Sequence, residues 1–304
     1  MSNIKNRFKE NQNLGTIVAL LILICFVSVL NPAFLQVSNL LNLMRQLIIN
    51  GFVALGMTFV ILTGGIDLSV GSTLALSSAI FAGLLQNGTN TILAILVAIL
   101  LAIILGLING LLITKGKLAP FIVTLATMTI FRGLTLVFMD GRPIAGPRDD
   151  FAFQFLGKGQ VLGIPFQVIL FIIVYIILWM ILNKTSYGRK IFAVGGNEKA
   201  SFISGINIAK SKTFVYVISA LMAVISGLVL TSRLNSAQPT AGSAYEMDAI
   251  AAVVLGGTSM TGGSGSLTGT LIGILILGVL NNGLNLLGVS SFYQQIVKGI
   301  VILI

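Results

Sequence analysis

The chain has 304 residues, of which 9% are Asp, Glu, Lys or Arg and 56% are hydrophobic; its mean hydropathy is +1.04. A soluble domain carries about 25% charged residues. The composition therefore excludes a soluble enzyme and a disordered chain. With one cysteine (Cys25, inside an apolar run) it also excludes a disulfide-stapled secreted domain.

A helix needs about 20 apolar residues to cross the hydrocarbon. In chain order the spans read Leu14–Leu30, Leu41–Thr63, Ser72–Leu85, Thr91–Ile113, Leu118–Met139, Phe166–Leu182, Thr213–Thr231, Ala244–Gly256, Leu267–Leu280 and Phe292–Ile304. The first follows Lys5, Arg7 and Lys9 and has no small-residue cleavage site behind it, so it reads as an uncleaved span. Polar stretches at 140–165 and 183–212 separate the fifth, sixth and seventh spans. The last run has no polar tail, so the natural chain is expected to continue past Ile304. The fold class is all-α polytopic membrane protein with about ten transmembrane helices, several of them short or broken.

Net charge is +10, and its distribution argues for orientation rather than nucleic-acid binding. The basic residues sit in short gaps between apolar runs, not interleaved with aromatics on a solvated face. With both termini in the cytoplasm, the inner loops hold Lys5, Arg7, Lys9, Lys115, Lys117, Lys184, Arg189, Lys190, Lys199, Lys210 and Lys212. The outer loops hold only Arg142, Arg148, Lys158 and Arg233. This is the bias that the positive-inside rule requires, and merging two early spans would spoil it.

Short spans rich in Gly, Ser and Thr are tolerated at membrane depth only inside protein or beside a water-filled cavity. Such segments point to a transport path, a plain membrane scaffold being the bland alternative. The chain contains no histidine, the commonest general base and metal ligand, and no metal site or catalytic set can be assembled. The run Gly110–Leu118 has the wrong spacing for a phosphate loop and no hydroxyl at Leu118 for magnesium. Gly263–Gly269 lacks the strand and the acidic residue of a dinucleotide fingerprint. Uphill movement would need an ion gradient or a partner.

Asp67 and Ser69 lie in Gly64-Gly-Ile-Asp-Leu-Ser-Val-Gly-Ser72, at the break between the second and third spans. Asp67 reads either as the anchor of a re-entrant turn in the gate or as a plain helix cap. Arg45 and Arg132 lie in apolar runs, and Glu246 and Asp248 open the eighth span on the same side; structural ion pairing or snorkelling is the expectation for these four. The remaining polar residues of the spans are amides and hydroxyls, among them Asn50, Thr58, Asn109, Thr124, Asn281, Asn282 and Asn285. They suit an uncharged, hydroxyl-rich solute, and Asn281, Asn282 and Asn285 are path candidates, although most such groups hydrogen-bond between helices.

The loop at 183–212 contains Asn197, Glu198, Ala200, Phe202, Ile203 and Gly205. Asn197 and Gly205 suit the two caps of a helix of about two turns. Its apolar edge, Phe202 and Ile203, reads as a docking knob for a partner protein or as an interfacial helix on lipid.

Gly64–Ser72, Gly195-Gly-Asn-Glu-Lys-Ala200, Ser236-Ala-Gln-Pro-Thr-Ala-Gly242, Ala249–Gly257 and Leu280-Asn-Asn-Gly-Leu-Asn-Leu-Leu-Gly288 resemble the permease subunits of ribose-type bacterial ABC sugar importers. The resemblance runs from about residue 14 to 304. It implies one transmembrane permease domain in the bacterial plasma membrane that moves a monosaccharide, ribose first among the candidates, by alternating access. Galactose, xylose and quorum-signal permeases share the first motif. It further implies a homodimer with the path between the two copies, a tandem cytoplasmic ATPase that binds ATP and magnesium, and an extracytoplasmic sugar-binding protein. The helix around Glu198–Gly205 then corresponds to the coupling helix seated in the ATPase. By this resemblance the chain is a transport subunit rather than an enzyme and carries no cofactor of its own. An ion-coupled carrier and a passive channel for a small neutral solute are the rival readings.

Overall fold

The computed structural model describes residues 14–303; Lys5, Arg7 and Lys9 lie outside them. The described residues form α1 (Leu14–Leu30), a short 3₁₀ helix (Pro32–Leu35), α2 (Val37–Leu62), α3 (Val70–Gln86), α4 (Thr91–Thr114), α5 (Pro120–Met139), α6 (Phe151–Lys158), α7 (Phe166–Lys184), α8 (Ser186–Gly196), α9 (Glu198–Ile203), α10 (Ile208–Leu234), α11 (Tyr245–Leu255), α12 (Leu267–Leu286) and α13 (Ser291–Leu303). All ten expected spans are helices. Of these, α2, α4, α5, α7, α10 and α12 are long and apolar enough to cross a membrane, while α1 and α3 are shorter apolar helices. The chain is an all-α polytopic membrane protein.

Capping chemistry sets most boundaries. Asn90, Thr185, Asn197, Asn207 and Ser266 each place a side-chain oxygen on a backbone N–H of the helix that follows, and Pro120 occupies the first turn of α5. Asn207 explains why the seventh span starts at Ile208 rather than Thr213. In the ninth span the helix continues through Asn281 and Asn282 to Leu286, and the Asn282 amide finds its partner in Asn39 of α2.

The interior is built on α2, α3 and α10. The half of α2 from Ile48 to Leu62 and nearly all of α3 are buried. Hydroxyls replace bulk at the contacts: Ser226 Oγ on α10 donates to the Ile49 carbonyl at 2.6 Å, and the Thr58 and Thr270 hydroxyls meet at 2.8 Å. Gly106 and Gly110 bring α4 against α10; a Cβ on either would stand under 3 Å from Val217 or Thr213. By contrast α4, α5 and α7 turn rows of Leu, Ile and Phe outward, as lipid-facing helices should.

The loops gather at two opposite ends. One end joins the 140–165 segment to the start of α4 and the end of α10. There β1 (Ile144–Ala145) pairs antiparallel with β4 (Ser236–Ala237), and the Thr91 hydroxyl donates to Asp150 at 2.5 Å. Asp150 also caps α6 through the Phe153 N–H, so its carboxyl sits below the usual carboxylate range, the Thr91 hydrogen bond being the main cause. A hairpin of β2 (Gln160–Val161) and β3 (Ile164–Pro165) turns through Leu162 and Gly163, both at positive φ. The other end gathers the α2–α3 break, the α4–α5 turn, α8, α9 and the α11–α12 break.

Candidate functional site

At the second end three glycine-rich segments converge on one carbonyl. Leu62 O, at the last turn of α2, accepts from Gly263 N at 3.0 Å. A Cβ on Gly195, in the last turn of α8, would overlap Leu62 O and stand 2.6 Å from Gly263 N. A Cβ on Gly262 would stand 2.8 Å from Gly64 N and 3.1 Å from Gly195 O. Gly64, Gly262 and Gly263 all take positive φ, so glycine serves both the turn and the close approach. The α2–α3 break, the α11–α12 break and the end of α8 are thus packed backbone on backbone.

One residue further along, Asn197 Oδ1 caps α9 by accepting from Ala200 N at 2.9 Å, and Gly205 ends it at φ +79°. Glu198 pairs with Lys212 of α10 at 2.5 Å. Phe202 and Ile203 are 72% and 84% exposed, far more than large apolar side chains in a folded core. The expected short helix is therefore present, with Asn197, Glu198, Ala200, Phe202, Ile203 and Gly205 together on it. The sequence reading missed α8, whose burial of Ile191 and Val194 joins α9 to the glycine junction.

Asp67 and Ser69 lie just past the junction and are almost wholly buried. Asp67 does not act as a surface cap. Its Oδ1 accepts from Ser69 N (3.0 Å) and Ser69 Oγ (2.6 Å), and its Oδ2 accepts from Ser219 Oγ of α10 (2.8 Å). Asn109 Nδ2 of α4 donates to Ser69 Oγ at 2.8 Å. The carboxylate thus ties the α2–α3 break to α4 and α10. Asn109 and Ser219 were not singled out as its partners, because nothing in their spacing shows that they meet.

At the first end a cavity of about 320 Å³ opens between α2, α10, α11, α12 and α13, with Asn281 and Asn285 in its lining. Asn282 is elsewhere: its amide exchanges two hydrogen bonds with Asn39 (2.9 and 3.0 Å) and pairs α12 with α2. The expected arginine–carboxylate pairs are corrected. Asp248 pairs with Lys298 of α13 at 3.0 Å, a residue the sequence reading left out. Arg132 instead donates to the Pro239 and Ala241 carbonyls (2.7 and 2.8 Å), holding the loop before α11 against α5. That loop reaches α3: a Cβ on Gly71 would overlap Gly242 O and stand 2.7 Å from Glu246 Oε2. Arg45 forms no ion pair among the described residues; its carbonyl accepts from Arg233 at 3.3 Å. Unpaired backbone carbonyls of an irregular loop are strong acceptors, and here Arg132 hydrogen-bonds to them while Glu246 lies near enough to attract it without a direct ion pair.

The family described as the permease component of branched-chain amino acid transport systems matches residues 39–304. The chain belongs to this permease family. The permease is 62% identical to the ribose import permease protein RbsC of Bacillus subtilis (strain 168), over 96% of this chain and 91% of that one. It is 49% identical to the protein of the same name from Escherichia coli (strain K12), over 95% and 91% of the two chains. It is also 39% identical to the probable ABC transporter permease protein YphD of Escherichia coli (strain K12), over 96% and 87%. No solved structure matches the permease. It is an integral membrane transport subunit of an ABC importer, not an enzyme, and such subunits work with an ATPase and a binding protein.

Proposed function

We propose that this permease carries ribose across a bacterial plasma membrane as one half of a homodimer, with the α8–α9 end in the cytoplasm. The observation that carries the ribose reading is the 49–62% identity, along nearly the whole chain, to permeases named for ribose import. The orientation is supported by charge. Lys115, Lys117, Lys184, Arg189, Lys190, Lys199, Lys210 and Lys212 lie at the α8–α9 end, and Arg142, Arg148, Lys158 and Arg233 at the other. In this reading α9 docks on a tandem ATPase through Phe202 and Ile203, ATP and magnesium bind to that partner, and a sugar-binding protein delivers ribose at the opposite face.

The glycine junction suggests how motion travels. Movement of α9 is passed through Gly195 to Leu62 of α2 and to the turn that starts α12. Asp67 and Ser69 hold the adjoining break rigid while this happens, so they serve the gate as anchors rather than as proton carriers.

The test is uptake. A ribose-permease deletion strain supplied with this chain and the cognate ATPase and binding protein should regain ATP-dependent ribose uptake. Uptake of xylose or galactose in its place would overturn the ribose reading. Ribose accumulation by this chain alone in liposomes under a proton or sodium gradient would favour the ion-coupled carrier.

A further inference from the structure

A groove of about 360 Å³ lies along the α4–α10 contact at the second end. Its floor includes Thr213 and Val217, which Gly110 and Gly106 of α4 approach closely. Its walls are Leu107 and Leu111 of α4 and Phe214 of α10, which are 38%, 40% and 44% exposed. Large apolar side chains exposed on membrane-spanning helices face hydrocarbon, so the trough is open to lipid. Its charged end has one sign only. Lys115, directly after α4, and Lys210, in the first turn of α10, line it and are exposed, and no carboxylate lines it. Neither lysine makes an ion pair among the described residues. The carboxylates described at this end are already committed: Glu198 to Lys212, and the buried Asp67 to Ser69 and Ser219. The other polar groups of the lining serve the protein. The Thr114 hydroxyl donates to the Gly110 carbonyl at 2.7 Å and meets the Thr213 hydroxyl at 3.1 Å, and Asn207 Oδ1 accepts from Lys210 N at 2.9 Å. The groove thus offers two unmatched ammonium groups at the end of an apolar trough.

We infer that this groove holds a phospholipid of net negative headgroup charge, its phosphate between Lys115 and Lys210 and an acyl chain along Leu107, Leu111 and Phe214. A soluble anion would match the lysines but leave the apolar walls uncovered. A zwitterionic lipid would cover the walls but bring as much positive as negative charge to two ammonium groups. An anionic lipid meets both, and basic pockets between membrane helices are suited to such headgroups. The site borders the coupling region, because Asn207 in its lining belongs to the link between α9 and α10. It is independent of which solute the permease carries.

The test uses the permease assembled with its ATPase in phosphatidylcholine nanodiscs, carrying Trp179→Phe and Leu107→Trp. Trp179 is the chain's one tryptophan, so the new indole reports on the groove; Leu111→Trp is a second reporter on the same wall. Brominated acyl chains quench the tryptophans they touch. Brominated phosphatidylglycerol is expected to quench saturably, at a mole fraction about 5- to 30-fold below that needed for brominated phosphatidylcholine. Lys115→Gln and Lys210→Gln should each reduce this preference about 5-fold, and together abolish it. Lys117→Gln, on the same turn but outside the lining, should change it by less than about 2-fold, the part of a screened surface charge. Equal quenching by the two lipids, as when an acidic surface of the ATPase neutralises the lysines, would overturn the inference. So would quenching by neither lipid, which would mean that protein covers the groove, and so would a preference that survives the double lysine variant. An equal loss in Lys117→Gln would replace the groove by a diffuse basic surface and likewise overturn it.

Discussion

Gly195 and Gly196 are neighbours in the last turn of α8, yet alanine should have opposite effects at the two positions. Neither has positive φ, so backbone strain does not enter at either. A methyl at Gly195 would overlap Leu62 O and crowd Gly263 N to 2.6 Å; one at Gly196 would meet nothing within 4 Å. Gly195→Ala must therefore push α8 off α2 or break the Gly263–Leu62 hydrogen bond. Overpacking costs about 1–3 kcal/mol, and the lost bond about 0.5–1.5 kcal/mol net. Against this, the gain in helix propensity is about 1 kcal/mol at most. The balance is a destabilisation of about 1–3 kcal/mol for Gly195→Ala. For Gly196→Ala the same terms leave a gain between zero and about 1 kcal/mol. Thermal unfolding of the purified permease in detergent reads the stability. ATP-driven ribose uptake by the reconstituted importer reads the coupling, which should fall only for Gly195→Ala. Equal behaviour of the two variants in both assays would refute the claim that the junction transmits force.

The other expectations are sharper in sign than in size. Phe202→Ser and Ile203→Ser remove exposed apolar surface, so the unfolding midpoint of the permease alone should hold while co-purification of the ATPase is lost; retained co-purification would remove α9 from the docking surface. Asp67→Asn keeps an acceptor for Ser69 and a donor that the Ser219 hydroxyl can accept, so uptake should survive it. Asp67→Ala strands Ser219 and the Ser69 N–H, and should destabilise by about 1–3 kcal/mol for each buried group left unpaired; uptake abolished by the asparagine variant would point to a proton relay. Asp150 has a depressed folded-state pKa, so its contribution is present above the unfolded value of about 3.9 and is lost as pH falls through the folded one. A melting series below pH 5 should show a slightly shallower acid limb in Asp150→Asn, the effect being small because the carboxyl is only part-buried and is screened by solvent.

The spans and caps were legible in the sequence because their causes are local. A run such as Thr91–Ile113 has no alternative to a helix in lipid, and Asn197 and Gly205 mark the ends of α9 by their own chemistry. Partners across the bundle were not legible. Arg132, Glu246 and Asp248 could be placed near one face, but whether Arg132 meets a carboxylate or a carbonyl depends on where the 235–244 loop travels. That loop turns inward to Gly71, which no pattern in its own residues announces. Lys298 was overlooked because a single lysine in an apolar run resembles a snorkelling residue until Asp248 is found beside it. Asn281, Asn282 and Asn285 looked equivalent in sequence, but a turn of 100° per residue sends Asn282 toward α2 and leaves the other two at the cavity.

The geometry of α12 links these observations. Its first residue follows the turn whose Gly262 and Gly263 are locked on Leu62 and Gly195, and its last turns carry Asn281 and Asn285 at the cavity. Twenty helical residues span about 30 Å, so one rigid element reaches from the junction beside α9 to the cavity at the opposite end. α2 makes the same journey in reverse, from Leu43 at the cavity to Leu62 at the junction. A shift of α8 and α9 therefore acts on two helices that meet at the glycine junction at one end and together line the cavity at the other.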